Sequence, residues 1–235
     1  MRVKKRVSLD ADRPFEQNGA RRDGNGGAPE PPLGSDFDAA RAAEEEGRPQ
    51  DAVDHYRRVL ENDPGHVAAR GHLGALHFEL GDYQLALEQY RAALEIEPDD
   101  PSLLARSGAA LGKLGRYAEA ERVFALAFKL DSDNWEARVN RAILHYRRGL
   151  YAEAEWELQT VCRRDPDHFA AFFFRAKALN RLGRVDEALS ALETASRIRP
   201  DHPEVFYLKG VLYDCKHLRG EAALMYRRAR ELSGG

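Results

Sequence analysis

The sequence predicts an all-α solenoid of about six tandem helix–turn–helix units. Three observations predict it. The first is a period of 34 residues, carried by Ala52, Ala86, Ala120, Ala154, Ala188 and Ala222. The second is two apolar stripes at helical spacing within each period. In the stretch from Val67 to Pro98, Leu73, Leu76 and Leu80 mark one stripe, and Ala86, Tyr90, Ala93 and Leu94 the other. The third is punctuation. Gly47, Gly81, Gly115, Gly149 and Gly183 separate the two halves, and Pro64, Pro98, Pro166 and Pro200 close the units. Neither helix of such a pair can bury its stripe alone, so the units must stack.

The boundaries follow the period: 33–66, 67–100, 101–134, 135–168, 169–202 and 203–235. Residues 1–32 precede them. They are rich in Gly, Pro, Arg and Asp, sum to +2, and include the run NGARRDGNGGAPEPP. Such a stretch cannot bury enough surface to offset its ordering, so a disordered leader is expected. In the first unit, Ser35 or Asp36 is placed to cap the first helix, and its polar sequence suits a terminal cap. The second helix is expected from Pro49 to Asn62, with Val53, Tyr56, Val59 and Leu60 inward. In the third unit Ser132 replaces the closing proline, and Trp135 is expected to pack between units three and four. Arg141 and Arg175 stand at the position that Leu73 holds in the second unit, and their stems are expected to cover apolar surface while the heads reach water. Phe172, Phe173 and Phe174 span about 200° of a helix, so one or two are expected to point at neighbouring helices and at least one to face the open inner side of the stack. In the sixth unit His217 takes the glycine position, and Leu218, Met225 and Leu232 make the last face a candidate homodimer contact.

Composition narrows the function. The net charge is −3, with the units summing to −5, which gives no overall drive toward nucleic acid or a membrane surface. No apolar run approaches the ~18 residues of a membrane span. MRVKKRVSLD is basic without a following apolar segment, so neither a signal peptide nor an anchor is expected, and no membrane insertion. Cys162 and Cys215 form no C-x-x-C, which fits free thiols in a reducing, cytoplasmic setting. No metal-binding or phosphate-loop pattern occurs. His66, His168 and His202 stand at equivalent unit ends and read as turn residues, while His72 and His77, about 140° apart on a helix, face different sides. No catalytic residue, cofactor site or metal site is expected, and the chain is read as non-enzymatic.

Small residues at Ala40, Gly74, Gly108, Ala142, Ala176 and Gly210, followed by Tyr56, Tyr90, Phe124, Leu158, Leu192 and Tyr226, complete the pattern. With these residues the chain resembles the tetratricopeptide repeat (TPR) family over about residues 33–235. The resemblance implies a right-handed superhelix whose concave groove binds peptides or proteins. It places Arg106, Lys113, Asn140, Ile143, Tyr146, Arg147, Phe173, Phe174, Lys177, Asn180, Arg181, Tyr207 and Val211 on the groove wall. Guanidinium groups take carboxylates bidentately and the amides can bond a peptide backbone, so the expected partner is a protein segment with acidic residues and apolar anchors. The carboxylate clamp of chaperone-binding members does not fit. At its positions stand Ala105, Ala109, Asn140, Ala170 and Phe174, and only Asn140 matches. The functions implied are an adaptor or assembly scaffold, a regulatory subunit of a separate enzyme, or a co-chaperone or secretion and envelope-assembly factor.

Overall fold

The computed structural model describes residues 33–234. The expected leader, residues 1–32, lies outside the described residues. Twelve helices follow in the described chain, as consecutive pairs: α1 (Leu33–Glu45) with α2 (Pro49–Asn62), α3 (Val67–Leu80) with α4 (Tyr83–Leu94), α5 (Pro101–Lys113) with α6 (Tyr117–Leu130), α7 (Trp135–Arg147) with α8 (Tyr151–Arg164), α9 (Phe169–Arg181) with α10 (Val185–Ile198), and α11 (Pro203–Cys215) with α12 (Arg219–Ser233).

The turns within pairs follow from backbone sterics. Gly81 ends α3 at φ +91°, a left-handed conformation that costs glycine nothing. His217 takes the same conformation at φ 60°, the one described residue other than glycine to do so. Between pairs, side chains cap the helix starts. Asp100 Oδ1 accepts from the N–H of Ser102 and Leu103, Asn134 from Ala137, and His66 and His168 from Ala69 and Ala171. The expected cap at Asp36 is not formed. The helix already runs from Leu33, and Asp36 instead faces His55 at 2.9 Å.

Each pair closes on one contact. A Cβ added at Gly74 would lie 2.6 Å from the ring of Tyr90, at Gly108 2.6 Å from Phe124, and at Gly210 2.5 Å from Tyr226. The absent side chain lets the two axes approach until the ring lies against bare backbone. Between pairs, the odd-numbered helices touch in succession: α3 with α5, α5 with α7, α7 with α9 and α9 with α11. The even-numbered helices make no comparable contact with one another. The stack therefore curves with odd helices on the inner wall and even helices on the outer wall.

One step departs from the rest. α5 and α7 pack together far more extensively than the other inner pairs, and α6 and α7 less than the corresponding pairs elsewhere. The cause is the small-residue face of α5. Gly112 comes so near α7 that an added Cβ would meet Leu144 Cδ1 at 2.9 Å.

Four expectations are corrected by the packing. Leu80, at the end of α3, is exposed rather than part of the stripe. Trp135 packs on the core formed by Val139, Leu158, Val161 and Ala171 of the fourth and fifth pairs. The space toward the third pair is taken by Arg138 and Arg141, whose guanidinium groups lie 5.6 and 4.4 Å from the Phe128 ring. The heads of Arg141 and Arg175 do not reach for water. Arg141 Nη2 lies 2.6 Å from Glu157 Oε1, and Arg175 Nε 2.9 Å from Glu155 Oε1, both on buried carboxylates. One period later Lys209 is likewise buried and donates to Glu193 Oε2 at 2.6 Å. Finally, Leu218 is exposed as expected, but Met225 and Leu232 are half-buried, and Leu224 is the more exposed apolar group of the last pair.

Two predictions follow from these contacts. Gly→Ala in a helix interior gains about 1 kcal/mol from propensity, whereas overpacking a core costs about 1–3 kcal/mol. Gly108→Ala faces the fully buried Phe124 ring and should lower the melting temperature. Gly210→Ala faces Tyr226, a half-buried ring that can swing outward, and should leave it unchanged or higher. Arg141→Leu strands the Glu157 carboxylate and should cost about 3 kcal/mol in a denaturant titration. Arg141→Leu/Glu157→Leu should recover most of that loss, because a buried pair contributes little against well-packed apolar side chains.

Candidate functional site

The stretch of inner wall that carries most of the expected residues is built from α5, α7, α9 and α11. Its densest group joins the fourth and fifth pairs. Lys177 Nζ stands 5.7 Å from the Tyr146 ring centroid and 5.2 Å from those of Phe173 and Phe174. Tyr146 lies 6.4 Å from Phe174 and 5.5 Å from Tyr151, and the Arg181 guanidinium stands 5.1 Å over Tyr151. Ring quadrupoles hold cations at such distances while leaving the outer face of the cation open. Lys177 and Arg181 form no ion pair with a described residue, nor does the exposed Arg147. Burial raises the Tyr146 hydroxyl above its ordinary pKa, so it remains a proton donor. The amides of Asn140 and Asn180 are half-buried.

The same arrangement occurs two periods earlier. Lys113 Nζ lies 5.6 Å from Phe78 and 5.5 Å from Tyr83, whose rings are 5.3 Å apart. Phe78, Tyr83 and Lys113 are each 68 residues before Tyr146, Tyr151 and Arg181. The repeat thus places an aromatic pair on one unit and a cation from the next over it.

The structure brings together Tyr146, Phe174, Lys177 and Arg181, with Asn140, Ile143, Arg147 and Asn180 on the same two helices. It does not do so for every residue expected there. Phe173 is only 6% exposed and stacks on Phe169 at 5.7 Å within the core of the fifth and sixth pairs. It presents no face to a ligand, because a residue one position from the wall is turned by 100°. Arg106 Nε pairs with Glu136 Oε1 at 3.3 Å, which balances its charge. Tyr207 is exposed on α11 against Tyr226, and Val211 is half-buried one turn on. Tyr83 and Tyr151 were missed. The signal was a tyrosine at the first position of α4, α6 and α8.

Of the two thiols, Cys162 is buried and its pKa is pushed up to about 12 by burial, which keeps it protonated. Two imidazoles are also set by burial. His77 and His202 are both held below their ordinary value, chiefly by desolvation. His202 lies 4.8 Å from Phe169 and 5.4 Å from Phe173, with Glu204 and Asp201 opposing the shift and Arg199 adding to it.

Two family models described as tetratricopeptide repeat match the chain, one over residues 37–101 and the other over 111–172 and 157–212. The chain belongs to the tetratricopeptide repeat family. No curated protein matches it. Among solved structures, a tetratricopeptide repeat protein from Parabacteroides merdae is similar at TM-score 0.73 and 22% identity, over 85% of this chain and 78% of that one. PilW, described as a type IV pilus biogenesis factor, is similar at TM-score 0.73 and 20% identity, over 85% and 92%. YrrB, described as having an unusual peptide-binding site, is similar at TM-score 0.53 and 22% identity, over 77% and 93%. At these identities the likeness is one of fold. No helix among the described residues is long and apolar enough to cross a membrane.

The depressed imidazoles set a pH dependence. Above about pH 6.5 both folded and unfolded chains hold these histidines neutral. As the pH falls from there toward the lowered folded values, the unfolded chain takes up protons that the folded chain refuses, so stability is lost. The melting temperature should fall between pH 7 and pH 5, and His77→Gln/His202→Gln should flatten that slope in a thermal melt series.

Proposed function

We propose that the chain is a non-enzymatic interaction scaffold that binds a protein segment along its inner wall, with acidic residues and apolar anchors. The observation that carries the reading is the set of cations seated on aromatic rings: Lys177 over Tyr146 and Phe174, and Arg181 over Tyr151. The rings fix the position of the cations without neutralising them. A carboxylate can therefore meet a preplaced positive group, and an apolar side chain can lie against the remaining ring surface. Asn140 and Asn180 offer donor and acceptor together to an extended backbone. Membership of the family supports the general reading, and YrrB's peptide-binding site is a parallel on the same fold.

A second reading is a role in envelope assembly. It draws on the likeness to PilW, which spans most of both chains but rests on fold alone. A regulatory subunit of a separate enzyme is the third reading. Affinity capture with the full chain, followed by identification of what is held, distinguishes the three. The groove itself is tested by Lys177→Glu/Arg181→Glu. This variant should lose the captured partner, and binding to a labelled Glu/Leu-rich peptide should weaken by about 100-fold, from two reversed charge contacts of roughly 1–2 kcal/mol each. Both side chains sit on the wall rather than in the core, so the melting temperature should stay the same. Undiminished capture would remove this surface from consideration.

A further inference from the structure

The outer wall carries a second site. At the step where α5 and α7 close together and α6 and α7 part, a cleft of about 400 Å³ is lined by His145 of α7 and by Ala152, Glu153, Trp156 and Glu157 of α8. That volume falls within the range of small-ligand sites, roughly 300–1,000 Å³. α8 turns Ala154, Leu158 and Val161 to the core, which leaves Trp156 on its outer face, 62% exposed.

The surface of the cleft is almost wholly apolar, and the polar groups beneath it are incompletely satisfied. Glu157 is 4% exposed. Its Oε1 accepts from Arg141 Nη2 at 2.6 Å, while its Oε2 is buried with no hydrogen-bond partner among the described residues. His145 directs Nε2 to Glu121 Oε1 at 3.2 Å, on α6. Its Nδ1, 3.8 Å from Glu157 Oε1, is likewise buried without a hydrogen-bond partner. A carboxylate oxygen and a ring nitrogen, both buried and without partners, therefore lie beneath a cleft whose upper wall is an exposed indole. Arg141 and Arg148, the nearest cations, are held by Glu157 and Glu121 respectively.

We propose that this outer cleft receives a basic side chain, arginine or lysine, from a partner protein. The methylene stem lies along Trp156, where the indole face also attracts the cation. The cationic head approaches Glu157, whose Oε2 becomes reachable as the side chains of the cleft part, and gains a charge-assisted bond there. Glu153, exposed at the rim, supplies a second carboxylate. Charge selects the occupant. An acidic segment would meet Glu153 and Glu157, and a purely apolar one would leave the Glu157 oxygen buried and unpaired. The site is separate from the inner wall and opposite to it in sign, so the scaffold can hold two chemically different segments at once.

The two tryptophans, Trp135 and Trp156, give two indole N–H signals in a nitrogen-15 spectrum of the full chain, and Trp156→Phe assigns them. A blocked Ala-Leu-Arg-Leu-Ala peptide should shift the Trp156 signal saturably, and its lysine analogue should do the same. The citrulline analogue, equal in shape but neutral, should bind about tenfold more weakly. Glu153→Lys, a change at an exposed position, should weaken the arginine peptide about tenfold while leaving the melting temperature unchanged. Lys177→Glu/Arg181→Glu should leave this titration untouched, which separates it from the inner-wall reading. A Trp156 signal that does not move, an equal response to citrulline, or indifference to Glu153→Lys would each overturn the proposal.

Discussion

Each hairpin depends on a residue with little or no side chain lying under a large one. In the second, third and sixth pairs, glycine takes the crossing point and an aromatic ring fills the space: Gly74 with Tyr90, Gly108 with Phe124, Gly210 with Tyr226. In the fourth and fifth, alanine takes the glycine place and the partner shrinks to leucine, as Ala142 with Leu158 and Ala176 with Leu192. From the second pair to the sixth the two side chains vary inversely, because the gap between helix axes is nearly fixed by packing density; the first pair, with Ala40 and Tyr56, departs from this. From that gap the rest follows. Hairpins of equal thickness stack, contacts between odd helices curve the stack, and the curvature gives an inner wall shared by successive units.

Arg141, Arg175 and Lys209 occupy one position of the period in three consecutive hairpins, each against a glutamate. Two of these pairs cross between hairpins: Arg175 of α9 reaches Glu155 of α8, and Lys209 of α11 reaches Glu193 of α10. Apolar residues at the same place would pack at least as well, so the pairs are not explained by stability. A charge that must find its partner discriminates between neighbours that similar leucine faces would not. The first half of the solenoid, with Leu73 and Ser107 at this position, has no such device there.

The period made the helices, their turns and most of the core legible, because 34-residue spacing fixes which residues must meet. Gly81 and His217 show how far it reaches: the backbone conformation at both follows from position in the unit. What the period could not show is a partner outside its own pattern. Arg141 and Arg175 read as snorkelling side chains because Glu157 and Glu155 look, in the sequence, like ordinary solvent-facing residues of α8. Phe173 read as a wall residue because three adjacent phenylalanines differ only by rotation, and the stacking of Phe169 and His202 that draws it inward is a tertiary fact. Trp156 carried no signal, since its exposure arises from α8 turning a different face to the core.

The inner wall shows why aromatic residues accompany its cations. A lysine or arginine on a solvated helix samples many rotamers, and a ligand that binds it must first order it. Over Tyr146 and Phe174 the Lys177 stem is already confined, and Arg181 is confined by Tyr151. Arg106 achieves the same order through Glu136, but at the loss of its charge to any ligand. The two kinds of restraint divide the wall. Toward the third pair the positive charge is balanced internally, and across the fourth and fifth it is held in place and left uncompensated. On the reading proposed above, an acidic segment would meet uncompensated positive charge at α7 and α9, where the ring surfaces that order the cations would also offer its apolar side chains a place to lie.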